Sequence, residues 1–217
     1  MGGSKSHFFR QQEDGLTLVA WYKFENNIND SAGSNNGISS TNLTYVLDAD
    51  GFAGSFNSFT SNVIIPDNAD FSFTDGITDL PFKMSLTWKC TRLSGTQLIL
   101  NKRDNLSTSS EWQIAVVGNT FRTDVLSFNG SGFLTATITD LLVLNKYYDI
   151  EVNYDGSGLH TGLKITVNGV ESTTSFVTGT YNGMSNTNSV VMIGDAGWSP
   201  SSGLGVGGLI DNVKIYK

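Results

Sequence analysis

Carboxylates are the first residues to weigh, because paired acids can cleave glycosidic bonds and clustered acids can hold a metal. A retaining hydrolytic pair sets its carboxyl groups about 5 Å apart across the bond, a spacing that alternate positions on one strand can supply. The nearest arrangement is Asp149-Ile150-Glu151, and the next position on that face is Asn153 rather than a third acid. His7 lies in a polar leader and His160 in a Gly/Ser-rich turn, so neither has an acid placed to orient it as a base. No catalytic residue is assigned, and the chain is expected not to be an enzyme. Cys90 is the only cysteine, which excludes an intrachain disulfide and a cysteine-rich zinc site. It ends the apolar run from Met84 and reads as a small buried hydrophobe rather than a nucleophile.

Oxygen donors are richer. The stretch Asn26-Asn-Ile-Asn-Asp-Ser-Ala-Gly-Ser-Asn-Asn-Gly37 offers Asn27, Asp30 and open carbonyls, with Glu25 at its edge. A hard cation such as calcium takes this kind of donor from a flexible loop. The alternative is that Asp30 and Ser31 cap a turn by bonding backbone amides. Sugars ask for something else: an aromatic face for their C–H groups beside Asn, Asp or Gln for their hydroxyls. Trp198 and Tyr181, both in turn-rich stretches, and Trp112, between Glu111 and Gln113, are the candidates. Trp21 and Trp88 sit in apolar strands and are expected in the core.

These residues must be positioned by β-strands. Short β-rich runs alternate with turn clusters, the pattern of a sandwich or barrel. Strands are expected over 17–25, 53–59, 61–65, 83–92, 96–102, 111–117, 121–128, 133–139, 147–154, 162–168, 189–194 and 207–216. Asp50-Gly51, Asp75-Gly76, Asn129-Gly130, Asp155-Gly156, Asn168-Gly169 and Asn182-Gly183 punctuate them, since these pairs tolerate the positive φ of tight turns. Alternation is clearest where Ile150, Val152 and Tyr154 share one face and Leu163, Ile165 and Val167 another, which predicts a hairpin from Tyr148 to Val167. A length of 217 residues with 39% hydrophobic and 11% aromatic residues suits one sandwich with its core between two sheets. Only 15% of residues are charged, below the usual quarter or so. Asn, Ser, Thr and Gly take their place, a surface that suits virion proteins, adhesins and sugar binders. The net charge of −7 and the lack of clustered Lys and Arg exclude nucleic acid as a partner.

Residues 1–15 precede the strand pattern and read as a flexible or docking arm on a domain spanning 16–217. Met1-Gly-Gly-Ser-Lys-Ser6 fits an N-myristoylation signal at Gly2, and fits a plain Gly/Ser leader equally well. The arm has no apolar signal-peptide core, and no apolar run approaches the ~20 residues of a transmembrane helix. Export by another route, carriage on a particle or removal of a prepeptide would each account for this.

Several passages in order carry a resemblance. They are Leu18-Val-Ala-Trp-Tyr-Lys-Phe-Glu25, Gly51-Phe-Ala-Gly-Ser-Phe56 with Val63-Ile-Ile-Pro66, and Phe82-Lys-Met-Ser-Leu-Thr-Trp88. Gln97-Leu-Ile-Leu-Asn-Lys102, Tyr147 to Asp155, Met192-Ile-Gly-Asp195 and Gly208-Leu-Ile-Asp-Asn-Val-Lys-Ile-Tyr216 complete them. Together these passages resemble the laminin-G-like, concanavalin A-like jelly roll, and the resemblance implies two antiparallel sheets with the first and last strands side by side, which would bring Asp211 to Asp30 as a second calcium ligand. The family's Asp-Asp pair near the end is Asp211-Asn212 here, one carboxylate fewer. The resemblance also implies either a minor capsid or decoration protein presenting a glycan-binding face, or a secreted carbohydrate-binding module or adhesin. Its partners would be glycans or neighbouring capsid or surface proteins, and its place a virion surface or shell, otherwise the cell surface or extracellular space.

Overall fold

The computed structural model describes residues 12–48, 51–57, 59–103, 110–127, 131–139, 142–195 and 204–217. In chain order the strands are β1 (Gln12–Glu13), β2 (Leu16–Tyr22), β3 (Ser39–Thr41), β4 (Thr44–Asp48), β5 (Gly51–Phe56) and β6 (Asn62–Ile65). Next come β7 (Phe82–Cys90), β8 (Thr96–Arg103), β9 (Ser110–Val117), β10 (Thr120–Leu126), β11 (Gly132–Thr139) and β12 (Tyr147–Tyr154). The last are β13 (Leu163–Val167), β14 (Val170–Glu171), β15 (Thr174–Gly179), β16 (Val191–Ile193) and β17 (Gly208–Tyr216). Short 3-10 turns lie at Ala69–Phe71 and His160–Gly162. Among the described residues no helix is long and apolar enough to cross a membrane.

Two antiparallel sheets face each other as a jelly-roll-like sandwich. The first runs β1-β2-β17-β7-β12-β13-β14, with β5 also pairing β17 and carrying β4 at its far edge; the second runs β15-β11-β10-β9-β8-β16-β6-β3. First and last strands lie side by side, Ile215 opposite Ala20 and Lys214 opposite Trp21. The expected hairpin forms in register, with Ile150 opposite Val167 and Tyr154 opposite Leu163. Its inward residues are all buried, because a period of two puts every second side chain on the face that excludes water.

Trp88, Trp112, Tyr22, Tyr148 and six phenylalanines, among them Phe73 and Phe121, are buried between the sheets. Phe73 stacks on Phe82 at 4.3 Å, and Phe121 lies 5.0 Å from Tyr148. Such rings each bury a large apolar area between the layers. Cys90 is fully buried and burial raises its thiol, so it is an inert core residue.

The structure departs from the sequence reading in three places. β3, β4 and β15 fall where no strand was expected. Most of their residues are exposed, and edge strands wetted on both faces carry no hydrophobic alternation. Residues 12–15, counted with the arm, form a hairpin in which Gln12 pairs Thr17 and Glu13 pairs Leu16. Trp21 is not in the core. Its ring lies on the outer face of the first sheet with Lys23 Nζ 3.8 Å and Lys214 Nζ 4.9 Å from its centroid, and its N–H donates to Asn212 Oδ1 at 3.1 Å. Cation–π contact and one hydrogen bond hold the half-buried indole there. Gly2 and the rest of 1–11 lie outside the described residues.

Candidate ligand-binding site

The last strand forks. Gly208–Ile210 of β17 pair with β5, whereas Val213–Tyr216 pair with β2, and the register against β7 slips between Asp211 and Lys214. Asn212 takes φ +52° at that bulge, a backbone region asparagine tolerates better than most residues. Where β2 and β5 diverge, the outer face opens into a cavity of about 260 Å³ lined by Asp48, Gly51, Ala53, Thr87, Tyr147, Asp149, Leu209, Asp211 and Asn212. A shallower groove of about 460 Å³ shares Thr87, Asp149 and Asn212 and continues past Ser85, Glu151, Thr166 and Lys214.

Strand pairing explains the cavity floor. Thr87 stands between Asp149 on β12 and Asp211 on β17, both directly opposite it, and its hydroxyl donates to Asp149 Oδ1 at 2.9 Å. Tyr147 donates to Asp48 Oδ2 at 2.7 Å across to the end of β4. Burial and Asp48 push the Tyr147 hydroxyl up to about 12, so it remains a donor at neutral pH. Its ring is 38% exposed, carries Lys89 Nζ 5.0 Å from its centroid, and offers an apolar surface beside Leu209.

Asp211 accepts from Asn212 N at 2.7 Å and from Asn212 Nδ2 at 2.8 Å. Burial, with Glu25 and Asp48 nearby and Asn212 pulling the other way, still raises its carboxyl to about 6. Glu25 closes the rim. Its carboxylate accepts from Phe52 N at 3.2 Å and sits where a Gly51 side chain would be, 2.1 Å from an added Cβ. Glycine at 51, with φ +139°, is therefore required on both counts.

The other expected residues lie elsewhere. Asp30 is buried and accepts from three backbone N–H groups, Trp21 at 2.9 Å, Ala32 at 2.8 Å and Asn35 at 3.0 Å. A carboxylate that accepts from three backbone amides caps its loop. Asn27 braces the same loop, donating to Glu25 O at 2.6 Å and accepting from Asn29 N at 2.9 Å. Asp30 and Asp211 share no partner among the described residues, where no three of His, Cys, Asp and Glu gather closely enough to hold an ion. Asp30 and Asp211 are each satisfied by protein donors of their own.

Trp112 is 1% exposed, its N–H donating to Phe71 O at 2.9 Å and its ring against Phe73. It faces the core, so the expectation that it meets a sugar is corrected. Tyr181 is half-buried and donates to Asp79 Oδ2 at 2.5 Å, as does Tyr154; its hydroxyl is raised by burial and by Asp79. This ties the 180–185 loop to β12. Trp198 lies outside the described residues. Sequence reasoning missed Asp48, Tyr147 and Thr87, because only tertiary pairing gathers them.

No protein-family model matches the chain, and no curated protein does. Solved structures do. The binding domain of Paraclostridial Mosquitocidal Protein 1 is 17% identical with a TM-score of 0.65, over 92% of this chain and 48% of that one. The botulinum neurotoxin type G receptor binding domain is 13% identical with a TM-score of 0.60, over 92% and 47%. The botulinum neurotoxin serotype D binding domain is 14% identical with a TM-score of 0.63, over 92% and 48%. This chain spans about half the length of each solved chain. At such identities the likeness is one of fold, the jelly-roll-like sandwich.

Proposed function

We propose that this chain is a non-enzymatic, laminin-G-like surface protein, a minor capsid or decoration component of a virion, that binds a neutral or amino sugar in the fork cavity. The cavity carries the reading. An exposed tyrosine ring and Leu209 form an apolar floor beside Asp48, Asp149, Asp211 and Asn212, an arrangement suited to the C–H face and hydroxyls of a pyranose. Acidic lining favours neutral or cationic sugars over sialylated ones by direct charge repulsion. The carboxylates nearest to a hydrolytic pair are otherwise engaged, Asp149 by Thr87 and Glu151 by Lys83 at 3.0 Å and Asn153 at 2.7 Å. The uncharged polar composition supports the particle setting.

A glycan array probed with the full chain tests the site. Binding to neutral or amino sugars, lost in Tyr147→Ala with an unchanged melting temperature, is the expected result. Binding abolished by Trp198→Ala but not by Tyr147→Ala would move recognition to Trp198. Stoichiometric recovery from purified particles separates a virion component from a secreted module or adhesin.

A further inference from the structure

The second sheet buries a charge cluster that the ligand site does not use. Lys102 on β8 is fully buried, standing opposite Trp112 of β9 and Val191 of β16. Four protein oxygens surround its Nζ. Asp67 Oδ1 lies at 2.9 Å, Thr187 O at 2.9 Å and Ser72 Oγ at 3.1 Å, and Glu111 Oε1 completes the set. Glu111 is itself 0% exposed; its Oε1 also accepts from Thr187 N at 2.7 Å and Thr187 Oγ1 at 2.9 Å. Its Oε2 is buried and has no hydrogen-bond partner.

As a set of ions this cluster is poorly balanced. Two carboxylates face one ammonium, and an orphaned carboxylate oxygen sits where water cannot reach it, which low dielectric penalises. Burial accordingly raises the Glu111 acid, Lys102 and Thr187 pulling the other way. An amine held against one acid, with a second acid positioned to carry protons, has another outcome open to it. Fixed geometry replaces the encounter that makes amide formation slow in water.

We propose that Lys102 and Asp67 join in an intramolecular isopeptide bond between Nζ and Cγ, with Glu111 relaying the protons. Glu111 takes one proton from the Lys102 ammonium and passes it to the Asp67 carboxylate, leaving a neutral amine and a neutral acid. The Nζ lone pair adds to Cγ. Glu111 then takes a proton from the new ammonium centre and delivers it to the departing hydroxyl, which leaves as water. One C–O bond breaks and one C–N bond forms, with no oxidation or reduction. Lys102 and Asp67 lose their charges together, and Glu111 ends as it began. The Asp67 side chain is 32% exposed, which gives the water a way out. The bond clasps the segment after β6 to β8.

Denaturing intact-mass measurement of the full chain decides it. Expected is a mass about 18 Da below that of the sequence, one water lost. A peptide map should show Lys102 uncut by trypsin and a branched peptide joining Asp67 to Lys102. Asp75-Gly76 and Asp155-Gly156 can also lose water as succinimides, so the loss must survive alkaline hydroxylamine, which opens an imide but not this amide. Asp67→Asn keeps the geometry and should lose ammonia instead, about 17 Da below its own sequence mass. Glu111→Gln should keep its full mass with a native circular-dichroism spectrum. A full-mass wild-type chain with unlinked Asp67 and Lys102 peptides overturns the proposal, as does a hydroxylamine-labile loss. A water loss that persists in Glu111→Gln overturns the role given to Glu111.

Discussion

Replacing Asp211 by asparagine should stabilise the protein at neutral pH and leave it unchanged near pH 4. The carboxyl titrates at about 6 in the folded chain against an ordinary 3.8, so between those values the native state binds the proton more tightly than the unfolded one. Stability therefore falls as pH rises from about 4 to 6. Above that window the penalty of an ionised, half-buried group facing Glu25 and Asp48 is fully present; below it, both states are protonated and the penalty is gone. The ceiling is about 3 kcal/mol, and solvent screening at a half-buried site reduces it to about 1–2 kcal/mol. Asparagine keeps an acceptor for Asn212 N and gives up the one that Asn212 Nδ2 uses, which trims the gain to about 1 kcal/mol. Urea denaturation of wild type and Asp211→Asn at pH 4.5, 6 and 7.5 measures the difference free of other titrations. A variant less stable at pH 7.5, or a difference that does not change with pH, would refute the assignment of electrostatic strain to this fork.

Asp30→Ala should cost about 2–4 kcal/mol in chemical denaturation, because three backbone N–H groups lose their acceptor in a mostly buried loop. Chelation with EDTA should leave the wild-type melting temperature where it was; a clear fall would show that an ion, not the amides, is Asp30's partner. Trp112→Ala should cost about 3–5 kcal/mol through the cavity it leaves and the orphaned Phe71 carbonyl. Lost sugar binding with unchanged stability would place that ring at the surface instead.

How much of this could be read from residues alone depends on periodicity. The hairpin of β12 and β13 was legible because Ile150, Val152, Tyr154, Leu163, Ile165 and Val167 alternate strictly with polar neighbours, and burial enforces that period. Edge strands such as β15 were not, since Phe176 at 40% and Val177 at 47% exposed on successive positions show no inside and outside. Tryptophans were legible as strand residues but not by face. Trp88 is buried and Trp21 is held outward by two lysines, although both occupy apolar-looking runs.

Composition and alternation thus determined a β-sandwich and a core thiol, because these follow from local pattern. Tertiary structure decided which oxygens meet. Asp48, Asp149 and Asp211 lie far apart in the chain and converge only because β17 changes partners at a bulge. Lys102 and Glu111 would pass for solvated surface charges in any linear reading, yet folding encloses both. Sequence distance does not encode a strand's lateral neighbours, and every site argued above is made of lateral neighbours.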